Sequence, residues 1–436
     1  MPFSLGITDF TPALVDEYLS LGFSYARAVC GWGGEESLSS IATDVGNIRS
    51  AGLKPIIDLR CDLSQLSAPT ILPMVILMTT DADDKQAIEE IYKIGFVPVT
   101  GQIGTGAGEI EIEGAAPPWM MRGVDLSLLN SQIEPIFKAE KQPALLLRMN
   151  KSGTPKALYN VCVFDSMDEE FLAYCLSVME RLGEQCQTYE IWGEPQCPLL
   201  TGGRIPPIRL AAWLHFLKQR APKNIRLLNG GLGIGPWKDV ELQQMMSAGT
   251  IYAIDAMNLH PFSFQGDAQV QAKLMDWMMA SVKYLAKKHG KPGLPIAITE
   301  WGYPSSVAVN EASLLTSNSM PTKIWPATEQ EQADIIDQSL RVFHDYKVDP
   351  VCMITRDQDM NDDEHAELKN FWGAHCGIWR HDFARKPSYV VVKKWGRVSM
   401  QESGLLRVSI TKPEIDEGNN GRRRGHHNKK HVRRRR

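Results

Sequence analysis

The sequence predicts an α/β fold, a (β/α)8 barrel of parallel strands with an insertion after the third strand. Three observations predict it. Short apolar runs alternate one by one with stretches of helical periodicity, and strands separated by single helices make parallel βα units. Such runs number three before residue 61 and five after residue 167. Two of the later runs end in a glutamate at a Gly, Pro or Trp break, as expected where strand ends collect chemistry at one face of a barrel.

The elements follow in order. Phe3–Ile7 reads as a strand, and Thr11 with Pro12 after it is a helix start for a segment running to about Gly22. Ser24–Cys30 is the second predicted strand. Leu38–Ser50 is a predicted helix, with Ile41, Val45 and Ile48 on one face and Gly52 as its stop. Leu53–Leu59 is the third predicted strand. Residues 61–167 break the rhythm and read as an inserted subdomain, with strand-like runs at 71–78, 109–113, 144–149 and 158–164 and a helical piece at 84–94. The rhythm then resumes. Predicted helices cover 169–184, 207–220, 240–248, 269–289 and 329–346, and predicted strands cover 189–192, 225–229, 253–259, 296–299 and 351–355. The barrel is therefore assigned to 1–60 and 168–400.

Bulk properties narrow the class. Of 436 residues 43% are hydrophobic, an ordinary globular share. The net charge of −4 excludes a nucleic-acid-binding body, but residues 421–436 hold nine Lys/Arg and no acid, which leaves −13 on the remainder. Residues 413–436 read as a disordered basic tail whose partner would be nucleic acid, contacted nonspecifically, or another anionic surface. The eight cysteines form no C-x-x-C pair and no zinc-spaced cluster, so they read as mostly buried thiols and no metal is expected. The N-terminus has no basic region ahead of an apolar core, and the longest apolar run, 71–78, is too short for a membrane span. The expectation is a soluble protein made without a signal peptide. The glycine run 230–235 lacks the acidic partner of a dinucleotide site and reads as a βα loop, and Asp357 to Asp363 reads as a solvated loop.

Chemistry concentrates in two segments, Tyr189-Glu190-Ile191-Trp192-Gly193-Glu194-Pro195 and Ile296-Ala297-Ile298-Thr299-Glu300-Trp301-Gly302-Tyr303-Pro304. Each is a short apolar strand that delivers a glutamate, and a facing carboxyl pair is what glycosidic bond cleavage requires. Apolar sugar faces stack on aromatic rings, which makes Trp32, Trp192 and above all Trp301 candidate sugar contacts.

These two segments resemble the signature strands of clan A glycoside hydrolases, retaining enzymes on a (β/α)8 barrel. The resemblance implies Glu194 as acid/base at the end of the fourth strand and Glu300 as nucleophile at the end of the seventh. It implies that Arg27 on the second strand keeps Glu300 ionised and that His260, in Asn258-Leu259-His260-Pro261-Phe262, orients nearby groups. Residues 376–389 (CGIWRHDFARKPSY) resemble the segment that often follows the eighth strand. The implied function is retaining hydrolysis of an oligo- or polysaccharide, with no cofactor. The sequence departs from the pattern at Gly193, where the clan usually has an Asn, and at Thr355-Arg356-Asp357, where a Trp often stands. It also lacks a Tyr in the His-Pro-Phe segment. These departures support an alternative, a carbohydrate-binding or structural protein on the same barrel, such as part of a virion released by lysis.

Overall fold

In a computed structural model the described residues are 3–33, 35–60, 166–195, 205–233, 242–243, 245–246, 250–264, 266–305, 327–357 and 375–403, with the strand backbones at 70–77, 97–100, 146–147 and 155–163. Strands are numbered β1 to β12 in chain order. Eight are parallel and surround one axis: β1 (Leu5–Ile7), β2 (Phe23–Gly31), β3 (Lys54–Arg60), β8 (Thr188–Ile191), β9 (Arg226–Asn229), β10 (Met257–Leu259), β11 (Ile296–Ile298) and β12 (Val351–Met353). Their order in the sheet is β10-β11-β12-β1-β2-β3-β8-β9. The two end strands meet through the parallel bridges Leu228–Ala256 and Leu232–Leu259, which close the ring. This is the predicted (β/α)8 barrel, and β8 and β11 are its fourth and seventh strands.

The closing seam is short in backbone ladder, and a side chain completes it. Asn229 Oδ1 accepts from the Asn258 N–H (2.8 Å) while Asn229 Nδ2 donates to the Asn258 carbonyl (3.0 Å). The amide thus pairs the backbone of its neighbour as a peptide group would.

Helices cover the outside of the ring and bury one apolar face each against it. Helix 166–182 contributes Phe171, Leu172, Cys175, Val178 and Met179, all fully buried. Helix 329–345 starts at a capping box in which Thr328 Oγ1 accepts from the Glu331 N–H and the Glu331 carboxylate accepts from the Thr328 N–H. The last helix, 387–402, has Pro387 in its first turn and meets the first βα unit: a Cβ on Gly396 would collide with the backbone of Leu21 and crowd Gly22. Helix 387–402 is thereby packed on the first βα unit.

Several expectations change. Ala253 ends a short helix, Thr250–Ala253, and β10 begins only at Met257. Thr11 makes no side-chain cap, and the first helical turn, Pro12–Leu14, is 3-10. Within the insertion, β4 (Thr70–Leu77), β5 (Val97–Thr100), β6 (Leu146–Leu147) and β7 (Pro155–Val163) form a separate sheet in the order β5-β7-β4-β6, where β4 and β7 run antiparallel. The expected helix at 84–94, the run at 109–113 and the basic tail lie outside the described residues. No helix among the described residues is long and apolar enough to cross a membrane. Cys30, Cys175, Cys186, Cys352 and Cys376 are buried.

Candidate active site at the carboxyl end of the barrel

Side chains alternate along a strand, so Arg27 on β2, Asp58 and Arg60 on β3 and Glu190 on β8 all face the inside of the ring. Arg27 gathers them. Its Nε donates to Glu190 Oε2 (2.9 Å), its Nη2 to Asp58 Oδ2 (2.8 Å) and its Nη1 to Glu300 Oε2 (3.0 Å). One guanidinium therefore ties together the second, third, fourth and seventh barrel strands. Burial works against its charge, but Glu190, Asp58 and Glu300 outweigh that and hold it firmly protonated. Burial likewise works to raise the Glu190 carboxyl, yet Arg27 and then His260 hold it at about 2. Asp58 moves the other way: burial and the Glu190 charge raise it above the usual carboxylate range, against Arg60 and Arg27.

A second group surrounds Glu194. His260 Nδ1 lies 3.0 Å from Glu194 Oε1, and its Nε2 lies 2.9 Å from Thr299 Oγ1 and 3.6 Å from Glu190 Oε1. Burial disfavours the imidazolium, but the Glu194 hydrogen bond and the charges of Glu300, Glu190 and Glu194 prevail and raise the His260 pKa above 6.5. Burial also pushes Glu194 up, and the His260 hydrogen bond and charge more than reverse it, leaving that carboxyl below its usual range. The pair thus holds one proton, preferentially on His260, whose Nδ1–H donates to Glu194. A Glu194 kept protonated by itself, as an isolated acid needs, is not what these directions describe.

The turn that presents Glu194 is strained. Trp192 and Glu194 both adopt positive φ, 67° and 52°, a region that side-chain-bearing residues seldom occupy. Such strain costs of order 1–3 kcal/mol per residue and collects at functional sites. The kink has a direct consequence. By strand alternation Trp192 would join Glu190 inside the ring, but the left-handed turn swings it outward, between Phe171 (5.7 Å between centroids) and Trp213 (5.6 Å) on the covering helices. The Gly193 N–H, freed from the ladder, donates to Asp58 Oδ1 (2.8 Å).

Glu300 follows β11 directly, with its side chain 24% exposed against 10% for Glu194. Its neighbour Thr299 is fixed by Asn258, whose Nδ2 donates to Thr299 Oγ1 (2.7 Å). Asp9, just beyond β1, stands at the same mouth, beside Glu300. Its carboxyl, hemmed in by protein and facing the Glu300 charge, is raised to about 7 against a backbone hydrogen bond from Thr355.

The structure thus brings together Arg27, Glu194, His260 and Glu300. It does not bring the tryptophans. Trp192 is fully buried and Trp301 is 1% exposed, its ring edge-on to Phe343 at 5.2 Å on the outer helix layer. Strand geometry ends at Ile298, and beyond it Thr299 still faces His260 while Trp301 turns onto the outer helix layer. Neither ring can meet a sugar as expected from their proximity to the glutamates. Trp32 is partly exposed and lies 6.2 Å from the Phe171 ring. Asp357 is no solvated loop residue: it is buried, with Lys386 Nζ 2.7 Å from Oδ2 and the Gly377 N–H donating to Oδ1 (2.9 Å). Lys386 lies in the Lys-Pro-Ser-Tyr end of the segment 376–389 that resembles the clan's post-β12 motif, and here it anchors that segment to Asp357 just beyond β12.

The network also recruits residues not singled out in the sequence: Asp58, Arg60, Glu190, Asn258 and Thr299. Glu190 was in view beside Glu194 and in strand alternation with Trp192, and that two-residue parity was the available signal. Gly231, within the glycine run, is required by close approach. A Cβ there would enter the His260 ring, and its N–H donates to Glu190 Oε1 (2.8 Å). Among the described residues no cluster of three or more His, Cys, Asp or Glu is set to hold a metal ion.

No family model and no curated protein matches the sequence. Among solved structures the chain is similar to a family 39 glycoside hydrolase from Bacteroides cellulosilyticus (13% identity, TM-score 0.49, 91% of this chain and 64% of that one). It is also similar to an exo-β-1,4-mannosidase from an Opitutaceae bacterium (12% identity, TM-score 0.47, 92% and 60%). A third is a monomeric β-xylosidase from Caulobacter crescentus (14% identity, TM-score 0.45, 90% and 67%). The chain spans less than two thirds of the length of the first two. By its own strand order and closure the chain is a parallel (β/α)8 barrel, the architecture of the clan A glycoside hydrolases it resembles.

Proposed function

We propose that this protein is a glycoside hydrolase that cleaves an O-glycosidic bond with retention, with Glu300 as nucleophile and Glu194 as acid/base. The observation that carries the reading is the single charge network in which Arg27 holds Glu300 while His260 holds Glu194. Its two ends differ as the reaction demands. Glu300 is paired to a guanidinium and open to the mouth, and Glu194 shares a proton with an imidazole.

In the first step the Glu300 carboxylate forms a bond to the anomeric carbon as the bond to the leaving oxygen breaks. That oxygen takes the proton held by the Glu194–His260 pair, delivered through Glu194. In the second step a water oxygen bonds to the anomeric carbon and Glu300 leaves. The proton of that water returns to the pair. Arg27 steadies charge on Glu300 at both ends of the cycle. No cofactor is invoked.

The test is hydrolysis of a panel of aryl β-glycosides, mannosides and xylosides first because the similar structures are named for them. Wild type should turn over at least one, and Glu300→Ala should lose about 10³-fold or more of that rate. An undiminished rate in Glu300→Ala removes Glu300 from the mechanism. A second reading, carbohydrate binding without turnover, is favoured by the depressed pKa of Glu194, since a free carboxylate is a poor acid. Binding of glycans to wild type with no hydrolysis on the panel would select that reading.

A further inference from the structure

Arg60 ends β3 two residues beyond Asp58, so both face the barrel interior. Asp58 Oδ2 holds its Nε. Its Nη groups have no hydrogen-bond partner among the described residues, and the side chain is 21% exposed at the mouth. The guanidinium is pressed against Gly193: a Cβ on Gly193 would run into Arg60 Nη2 and Cζ and into Asp58. A side chain at position 193, an asparagine included, would therefore require Arg60 and Asp58 to move. A planar group with free Nη donors thus lies beside the residue preceding Glu194.

Charge decides what those donors can hold. Arg27 and Arg60 face three carboxylates, Asp58, Glu190 and Glu300, while the Glu194–His260 pair adds no net charge. Among these described groups the carboxylates outnumber the guanidiniums by one, a balance that disfavours an anionic substituent beside Arg60. A hydroxyl can accept from an Nη–H without adding charge. Position decides which hydroxyl. Arg60 touches the approach to Glu194 and, through Asp58, the arginine that holds Glu300. The reacting carbon lies between those two glutamates, so the substituent within reach is on the adjacent ring carbon.

We infer that Arg60 donates a hydrogen bond to the hydroxyl next to the anomeric carbon of a neutral sugar, and that Gly193 is bare to admit the guanidinium. This rests on the glycosidase reading above. The experiment compares kcat/KM of wild type, Arg60→Ala and Arg60→Lys on an active aryl glycoside and on its 2-deoxy counterpart. Thermal melting checks that each variant folds. Removing the hydroxyl should slow wild type by about 10- to 100-fold, the worth of a charge-assisted hydrogen bond made in the transition state. Arg60→Ala should lose a similar factor on the parent substrate and no more than about threefold further on the 2-deoxy one. Arg60→Lys should fall between, because it keeps a donor but not the fork. If Arg60→Ala does not fold, Arg60→Lys carries the same comparison. The inference is overturned if the variants keep wild-type rates on the parent, or if they lose as much as wild type when the hydroxyl is removed. It is overturned too if a uronide of the same configuration is the faster substrate. Wild type that hydrolyses no glycoside ends the glycosidase reading and this one with it. Active wild type with unaffected Arg60 variants ends only this one.

Discussion

At the scale of single residues, His260 and Glu194 are best understood as one titrating unit. Two buried groups 3.0 Å apart that each shift the other lose protons as a pair. The sign follows from the directions. His260 is raised in the fold, so its contribution to stability is complete below pH 6.5 and is lost as pH rises through the folded pKa. The same loss removes the proton that the leaving oxygen needs. Activity should therefore fall on the alkaline side with a midpoint above 6.5. In His260→Gln the alkaline limb should no longer follow an imidazole, and kcat/KM at the optimum should drop by about 10- to 100-fold. Profiles of kcat/KM against pH for the two proteins check this, and an unchanged alkaline limb in the variant would refute the shared proton. Glu190 behaves oppositely: held at about 2, it stabilises the fold above pH 4.5 and gives that up only in strong acid.

At the scale of elements, strand ends and loops supply rigidity where backbone ladders stop. The β9–β10 seam relies on the Asn229 amide, which satisfies both the N–H and the carbonyl of Asn258. Asn229→Ala would leave the buried Asn258 N–H unpaired, while the Asn258 carbonyl keeps the Leu232 N–H. The expected loss is about 1–3 kcal/mol of unfolding free energy, the cost of one buried unsatisfied group, measurable by urea denaturation. The site should suffer with it, because Asn258 also fixes Thr299 beside Glu300 and His260. A variant of wild-type stability and activity would show that the seam is held by other means. The segment 376–389 makes the same point from the other side of the ring. Its resemblance to a clan motif reflects anchoring: Lys386 pairs with Asp357, the Ser388 hydroxyl donates to Gln332 Oε1 (3.0 Å), and the Tyr389 hydroxyl donates to Glu17 Oε2 (2.7 Å).

At the scale of the whole molecule, the barrel is shut by contact between its first and last units. Gly22, with φ of 77°, turns the chain into β2, and Gly396 of the last helix lies against that turn with no room for a side chain. Gly396→Ala forces the helix away from the first βα unit and should destabilise the fold by about 1–3 kcal/mol despite the better helix propensity of alanine. A lowered thermal midpoint is the expected result, and a raised one would show that the seam yields freely. Because β2 carries Arg27 and β3 carries Asp58 and Arg60, loosening this seam should also lower activity.

The order of strands, the period of helices and the two Glu-bearing strand ends were legible in the amino-acid pattern, because burial imposes alternation and periodicity that residue order records. The glutamates at the ends of the fourth and seventh strands could be named from it, and Arg27 and His260 from the resemblance to the clan's strands. Which way Trp192 and Trp301 point could not. The first is redirected by a left-handed turn, and the second leaves the strand path after β11 and packs on Phe343 of the outer layer. Nor could the pattern reveal that Asp58, Glu190 and Glu300 share the Arg27 guanidinium, or that Arg60 and Asp58 lie against Gly193. Those contacts join residues 31 to 273 positions apart, and only the packing of β2, β3, β8 and the end of β11 around one axis brings their charges within hydrogen-bonding reach.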